Sequence, residues 1–546
     1  MKTLLNNRAI TRIQGILIVI ILLVVAGIGI YSTLPSPGPG PTPSVTISTS
    51  QAGQTLFIAT EDPPPGLDPA VDMDTPGSVI ESTAVETLYV LKRGTTEPIP
   101  CLATSYDVDA DATVWTFSLR QGVKFHDGTP FNATAVKYSF ERIVAINKGP
   151  ADFWKVLKMV EVLDTYTVRI TLTQPFPAFI SMISGPQIAG IVSPSSEKMN
   201  EVNGDWGEEW NHKHVIGTGP YMFVEWKEGE YLKFVKFQDY WRGWTNTNNN
   251  IDTIMYVQTS DPAQRKIAIQ SGRVQIVTDL LPVDVHELTN TAGYTVVNGH
   301  TLSTSYLYLN NLKGPTTNIN VRKAIAYAID YNALTDTIMS GFATRAQGPI
   351  STMYSQHNNS IPIIQQDLEK AKGYLAAAGY KPGQLTLQVW YNTGVAWKAD
   401  TATLIQSNLR DIGINVDIHS TDWPTISQML ADKTQFPDMI VAYETNEFAD
   451  PSNILGLIWY SYGLRNHGYT NPVVDDLLLR AGRETDPQKA TTLYQEAQSI
   501  IANDFPDVPL FELTYSVIMK NTVHGYVPVP TNFPYYNFYD MYVTTG

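Results

Sequence analysis

Residues 114–142 read VWTFSLRQGVKFHDGTPFNATAVKYSFER, a stretch that predicts a strand, a turn and a helix in close succession. Apolar Trp115, Phe117 and Leu119 alternate with polar residues, which is the period of a half-buried strand. Asp127-Gly128 predicts a turn, because glycine adopts a positive φ without steric cost. Asn132 then predicts a helix N-cap. The apolar residues that follow share one helical face and are Val136, Phe140 and Ile143.

Composition places the chain among folded, multidomain proteins. Its 546 residues include 43% hydrophobic and 16% charged residues, enough for more than one apolar core. The formal net charge of −15 argues against a nucleic-acid partner, which needs concentrated positive charge. The single cysteine, Cys101, excludes an intramolecular disulfide and any multi-cysteine zinc site. We expect Cys101 to act as a small hydrophobic residue near the start of a strand.

The N-terminus predicts attachment to a membrane. The charged residues among positions 1–12 are all basic, and residues 16–30 form an uninterrupted apolar run. The segment 13–31 is therefore predicted to be a transmembrane anchor or a signal segment, and its flanking charges place the rest of the chain outside the cell. The residues before the apolar run look like archaeal signals that are trimmed ahead of it, which favours a retained anchor.

Residues 32–53 are rich in Pro, Gly, Ser and Thr. Such segments act as semi-rigid spacers that hold a domain away from a surface. An anchor, a stalk and a large globular body together predict a tethered protein of the cell membrane, with its body outside the cell.

The body alternates short strands with helices, which predicts an α/β fold. The predicted strands are 55–59, 167–172, 221–237 with a break at Gly229, and 414–418. The predicted helices lie near 321–329, 368–378 and 405–412, and two more begin at the cap-plus-proline pairs Asn471-Pro472 and Asp486-Pro487.

Several short motifs occur in a characteristic order around the opening stretch. They are Leu67-Asp68-Pro69, LATSY at 102–106, GTGPY at 217–221, VRKAIAYAID at 321–330, Ala449-Asp450-Pro451 and YTNP at 469–472. Together with residues 114–142 they resemble the family 5 extracellular solute-binding proteins, which serve ABC transporters for peptides, nickel and some oligosaccharides. The resemblance spans about residues 54 to 530.

The resemblance implies a bilobed, periplasmic-binding-protein type II-like α/β fold with an extra inserted domain. Lobe I would comprise residues 54–91, 215–304 and 521–546, the inserted domain residues 92–214, and lobe II residues 305–520. Such a protein is a monomer without a cofactor and performs no catalysis. It binds an oligopeptide or dipeptide between closing lobes and delivers it to permease subunits. An oligosaccharide ligand on the same scaffold, and more distantly a surface hydrolase, are the alternatives.

The resemblance also implies a ligand anchor in lobe II. Peptide-binding members hold the ligand ammonium with an aspartate three residues before an Asp-Pro pair. That position here is Glu447, which keeps the carboxylate and can form a charge-assisted bond. The alternative is that Glu447 is a solvated acid in a surface loop.

Aromatic and amide side chains of lobe II complete the candidate ligand-binding set. Stacking on an oligosaccharide would use tryptophans, of which Trp397 in the polar segment 392–400 is the strongest candidate. The other candidates are Trp390, Trp423, Trp459, Tyr443 and Asn446.

Two further patterns in the sequence are weak. His212 and His214 could suggest nickel, but they lack a third ligand in the sequence pattern, so no metal site is predicted. Asn132 and Asn358 begin glycosylation sequons, and for Asn132 helix capping is the better interpretation.

Overall fold

The structure is a computed structural model that describes residues 54–60, 64–245, 248–530 and 535–544. The predicted basic segment 1–12, anchor 13–31 and stalk 32–53 lie outside these residues. Within the described ranges, no helix combines the length and the apolar character needed to cross a membrane.

Strands and helices alternate along most of the described chain. The strands are, in chain order, β1 (Gln54–Thr60), β2 (Tyr89–Leu91), β3 (Pro98–Pro100), β4 (Ala103–Val108), β5 (Val114–Leu119), β6 (Leu157–Asp164), β7 (Thr167–Leu172), β8 (Tyr221–Lys227), β9 (Tyr231–Lys236), β10 (Ile251–Gln258), β11 (Ile276–Val277), β12 (Tyr294–Leu309), β13 (Ala343–Arg345), β14 (Leu385–Asn392), β15 (Ile414–Thr421), β16 (Met439–Glu444), β17 (Asp507–Lys520), β18 (Val523–His524) and β19 (Tyr542–Val543).

The helices between them are mostly short. They are α1 (Thr75–Glu81), α2 (Ala133–Ile146), α3 (Phe179–Met182), α4 (Pro186–Ala189), α5 (Pro194–Asn200), α6 (Glu208–Asn211), α7 (Pro262–Gln270), α8 (Pro282–Thr289), α9 (Ile319–Ala328), α10 (Leu368–Ala377), α11 (Ala396–Asp411), α12 (Trp423–Ala431), α13 (Pro451–Ile458), α14 (Pro472–Ala481) and α15 (Pro487–Asp504). Two 3-10 helices (Gly149–Val156, Pro315–Thr317) and a π-helix (Ala333–Ile338) complete the set. The predicted mixed α/β architecture is confirmed.

One mixed sheet runs through the molecule in the order β15-β14-β16-β12-β17-β11-β1-β10-β9-β8, with β13 added on β17. Strands β12 and β17 are long, and their antiparallel pairing extends from Tyr294 opposite Lys520 to Tyr308 opposite Asp507. The register of this pair breaks between His300 and Thr304. Two continuous strands with a local irregularity therefore join the two halves of the sheet, next to the predicted lobe boundary at 304/305.

The half of this sheet that falls in the predicted lobe II is covered on both faces. Along β12, Tyr306 and Tyr308 point into one apolar cluster, while Leu307 and Leu309 point into another. Successive side chains of a strand alternate between faces, so each cluster forms under one face. The fully buried side chains of β12 thus hold this half of the sheet between two helical layers.

The predicted inserted domain (92–214) contains a separate sheet in the order β4-β5-β7-β6. Its central strand β5 and helix α2 are the strand and helix predicted for residues 114–142, and both are confirmed. The turn glycine Gly128 has a φ of 82°. The Asn132 side chain accepts hydrogen bonds from the amides of Thr134 (2.9 Å) and Ala135 (3.2 Å), which confirms the N-cap. Cys101, just before β4, is buried and free, as expected for a small hydrophobic residue.

The other local signals also predict the observed elements. The run 221–237 forms the hairpin of β8 and β9, with Gly229 at a φ of 74° between the strands. Asn471 and Asp486 cap α14 and α15, each with a proline in the first turn.

Candidate functional site

The candidate site lies at the edge of lobe II where three strands end. Strand β14 runs parallel to both β15 and β16, so Asn392, Thr421 and Glu444 end their strands on the same side. In α/β sheets ligands bind in the crevice outside the carboxyl ends of the strands. This edge is therefore where a ligand of lobe II is expected.

A buried lysine lies at the centre of this edge. Lys398, in the first turn of α11, is 1% exposed, and its ammonium donates to Asn392 Oδ1 at 2.5 Å. Three aromatic rings surround the ammonium: Tyr443 at 4.8 Å, and Trp397 and Trp423 at 5.6 Å each. Burial lowers the pKa of Lys398 to about 8, although the negative charge of Glu444 opposes the shift.

Glu444 supplies the negative charge next to this lysine. It is buried and accepts a hydrogen bond from the Tyr308 hydroxyl at 3.1 Å, and Arg465 Nε lies 3.9 Å from its other oxygen. Burial raises the pKa of Glu444, while the positive charges of Arg465 and Lys398 counteract this effect. The Arg465 guanidinium also lies 5.7 Å from the ring of Trp423, which is 43% exposed. Trp423 thus exposes an aromatic surface close to two cations.

Glu447 lies where the predicted lobe II (305–520) meets the predicted inserted domain (92–214). The side-chain amide nitrogen of Gln187 lies 3.2 Å from the main-chain oxygen of Glu447 and 3.4 Å from its carboxylate. The main-chain nitrogen of Glu447 donates to Asn453 Oδ1 at 3.1 Å. Asn453 therefore holds the main chain of this loop, while Gln187 contacts the Glu447 carboxylate.

Asn446 connects this loop to the strand that joins the lobes. Its side-chain amide donates to the main-chain oxygen of Leu302 at 2.7 Å. The amide of Leu302 donates in turn to Pro530 O at 2.9 Å. Leu302 lies inside the register break of β12, so Asn446 is bound to the irregular segment between the two halves of the sheet. Asn446 Oδ1 is buried and has no hydrogen-bond partner within the described residues.

The structure brings some of the sequence-predicted aromatics together and separates others. Trp397 packs against Tyr443 at 6.1 Å and Phe511 at 5.2 Å, beside the lysine. Trp397 was expected in a polar segment before a helix, but α11 already begins at Ala396, so Trp397 belongs to its first turn.

The remaining two tryptophans do not join this group. Trp390 stacks on His419 at 4.7 Å. Trp459 is fully buried in the core of lobe II, and its indole nitrogen donates to Asp507 Oδ2 at 2.7 Å. Trp459 is enclosed by an apolar cluster that includes Leu455 and Ile458, so in this structure it packs in the core.

Sequence reasoning missed Lys398 and Gln187. Lys398 directly follows Trp397 in the chain, but a lysine is ordinarily an exposed residue, so nothing in the sequence pattern selected it. Gln187 gave no local signal, since its partner Glu447 is 260 positions away in the chain.

The residues of the two weaker sequence patterns make structural contacts. His214 stacks on Trp210 at 4.5 Å, and no three potential metal ligands cluster among the described residues. The Asn358 amide is buried and donates to Gln495 O at 3.0 Å and to Ser499 Oγ at 2.8 Å. Asn358 therefore ties its loop to α15.

Comparison with known proteins gives consistent relatives. The family model described as bacterial extracellular solute-binding proteins, family 5, matches residues 97–466. The probable D,D-dipeptide-binding periplasmic protein DdpA of Escherichia coli is 31% identical over 483 residues, covering 86% of this chain and 91% of that protein. Di/tripeptide-binding protein 2 of Pseudomonas aeruginosa is 29% identical, covering 87% and 92%. The Helicobacter pylori periplasmic binding protein DppA, solved with the peptide STSA, superimposes with a TM-score of 0.77 at 28% identity, covering 90% of this chain and 98% of that one.

Proposed function

The chain belongs to family 5 of the bacterial extracellular solute-binding proteins, and from this premise we propose that it binds short peptides between lobe I and lobe II outside the cell. The closed, loaded protein delivers the peptide to the permease subunits of an ABC importer. Relatives named for dipeptide and di- or tripeptide binding support this ligand class. Binding of this kind changes the population of open and closed forms and requires no catalytic step.

The position of Glu447 is the observation that carries the peptide assignment. A carboxylate at an interface that closes over a ligand is shielded from water, which strengthens its bond to an ammonium. Every unmodified peptide carries such an ammonium at its amino terminus. Asn446 Oδ1, buried beside Glu447, adds an acceptor for a further N–H group of the ligand.

Lys398 and the aromatic rings around it favour a ligand with apolar and acceptor groups. The ammonium of Lys398 has three N–H donors, and Asn392 accepts one hydrogen bond from it. Trp397, Tyr443 and Trp423 offer ring faces for side chains of the peptide. Trp390, set apart on His419, stays at the margin of the proposed site.

The layout along the chain gives the proposed cellular arrangement. Residues 13–31 anchor a monomer in the cell membrane, and residues 32–53 form the stalk. Lobe I (54–91, 215–304, 521–546), the inserted domain (92–214) and lobe II (305–520) form the body that meets the permease. The strands β12 and β17 that cross between the lobes support this division.

A thermal-shift screen of the protein against peptide and oligosaccharide panels tests the proposal. A ligand at a hundredfold excess over its Kd stabilises the folded state by about 2.7 kcal/mol. We expect stabilisation by peptides. Stabilisation by oligosaccharides alone would overturn the peptide assignment, and turnover of a stabilising compound would indicate an enzyme instead.

A further inference from the structure

A phenylalanine of lobe II is buried in the core of the inserted domain. Phe448 is 5% exposed and belongs to the apolar cluster built around β5 and α2. Its ring meets Phe153 at 5.9 Å and Phe176 at 6.2 Å, both edge to face. This geometry is a favoured arrangement of aromatic pairs. A loop of lobe II therefore inserts its side chain between two rings of another domain.

A polar contact beside Phe448 also joins the inserted domain to lobe II. Gln187, at the first turn of α4, is buried, and its Oε1 accepts a hydrogen bond from the Tyr535 hydroxyl at 2.5 Å. Because Tyr535 holds the Oε1 end of the amide, the Nε2 end faces Glu447. The Tyr535 main-chain oxygen is itself held by Arg93 at 3.0 Å. Tyr535 and Arg93, which lie outside lobe II, thus fix the orientation of the Gln187 amide.

We propose that Gln187, Phe153 and Phe176 of the inserted domain, with Glu447 and Phe448 of lobe II, form a closure latch. Gln187 is a positioning residue in it: it fixes the Glu447 carboxylate, while Phe448 supplies the apolar contact. The proposal rests on the proposed function, in which Glu447 binds the solute. It gives the inserted domain a specific role, since that domain then holds the lobes together on the ligand.

A latch and a direct ligand contact predict different effects on the apparent Kd. Its contacts exist only when lobe II touches the inserted domain, so they stabilise the closed form whatever the solute. The apparent Kd equals the intrinsic Kd divided by the fraction of protein in the binding-competent state. Weakening the latch therefore weakens the binding of all solutes by the same factor.

Gln187→Leu, Phe448→Ala and the control Gln174→Ala test the latch in the full-length protein. Gln174 is a matched control because it also joins the inserted domain to lobe II: its Oε1 accepts a hydrogen bond from Arg483 at 3.0 Å. Unlike the contact of Gln187, this one is exposed to solvent. The probes are trialanine and N-acetyl-trialanine, measured by calorimetry. We expect Gln187→Leu to weaken both by about tenfold, the loss of one buried hydrogen bond to a charged group, and Gln174→Ala to change neither by more than about twofold.

Hydrogen exchange in the solute-free protein provides a second measurement. Phe448→Ala should speed exchange in residues 149–156 and 174–190 of the inserted domain, and Gln174→Ala should not. A loss confined to trialanine would mean that Gln187 only positions Glu447 for the ligand ammonium and would overturn the latch, as would unchanged exchange in Phe448→Ala. If neither probe binds the wild type, the proposed function loses its support, while the exchange experiment still decides the latch.

Discussion

Arg142, the last residue of the stretch 114–142, forms a two-pronged ion pair with Asp68. Nη1 lies 2.6 Å from one carboxylate oxygen and Nη2 lies 2.7 Å from the other, and both side chains are 1% exposed. A carboxyl oxygen of Glu197 lies 3.7 Å from Nη2, and burial raises the pKa of Glu197 to about 8. Asp68 belongs to the motif Leu67-Asp68-Pro69, so this contact joins two of the short motifs directly. It also binds helix α2 of the proposed inserted domain to the segment 64–74 of the proposed lobe I.

Asp68→Asn should destabilise the protein markedly. Removing one partner of a buried ion pair leaves the other charge without compensation, which typically costs about 3–5 kcal/mol. We place the loss near the lower end, at about 3 kcal/mol, because Glu197 remains beside Arg142. Urea unfolding of variant and wild type measures the difference in the free energy of unfolding.

An exposed ion pair is the control for this prediction. Lys92 and Glu97 are 3.0 Å apart, with side chains more than half exposed. Glu97→Gln should change the free energy of unfolding by less than about 1 kcal/mol. Equal effects of the two substitutions would show that the Arg142–Asp68 pair does not stabilise the junction between the domains.

The elements of this fold that sequence predicted are those specified by neighbouring residues. The cap at Asn132 and the turn at Gly229 depend on chemistry within a few positions, and the structure contains both. The pairing of β12 with β17 was not predictable in this way, since it joins residues about 200 positions apart. No periodicity within either strand identifies its partner, and the family resemblance implied two closing lobes but not which strands connect them.

In the candidate site, too, some residues could be predicted from the sequence and others could not. Glu447 and Trp397 could be selected from the resemblance and from local polarity, and they remain predicted ligand contacts. Lys398 could not, because its burial results from the rings of Tyr443 and Trp423, which reach it from other elements. Tertiary packing, rather than local sequence, decides that this lysine is an interior residue.

Lys398 should make stability depend on pH in the alkaline range. Its pKa falls from 10.5 unfolded to about 8 in the folded protein, because burial disfavours the charged form. Between these values the unfolded state binds more protons, so the free energy of unfolding rises as pH increases from about 8 to 10.5. The total gain is roughly 3 kcal/mol.

Lys398→Met should remove this rise. Urea unfolding at several pH values from 8 to 10.5 would give the difference between wild type and variant, which should grow with pH. The control is Lys372→Met, since Lys372 is half exposed and paired with Glu369 on a helix surface. A difference curve that is flat for Lys398→Met would mean that the ammonium has its ordinary pKa in the folded protein.

The proposed anchor predicts how the protein partitions between cell fractions. Full-length protein should remain with membranes in high salt and carbonate and be released by detergent, because residues 13–31 are held by apolar burial rather than by charge. Deletion of residues 2–53 should move the protein to the soluble fraction. Recovery of the wild type in the medium, with an N-terminus beyond residue 31, would identify a cleaved signal peptide instead.

Glu447→Gln should discriminate between peptides by their amino terminus. Glutamine keeps the size of the side chain and the possibility of a hydrogen bond but removes the negative charge that an ammonium requires. For peptides with a free amino group we expect Kd to rise by roughly thirtyfold, equivalent to about 2 kcal/mol, the lower range for a shielded charge pair. N-acetylated peptides carry no such charge, and because the glutamine side chain can still accept a hydrogen bond from Gln187, they should lose much less affinity than peptides with a free amino group. Calorimetry with both forms of one peptide measures the two effects, and Glu496→Gln on the exposed surface of α15 is the control that should alter neither. Equal losses for both peptide forms would exclude Glu447 as the ammonium anchor and would point to a role in closure alone.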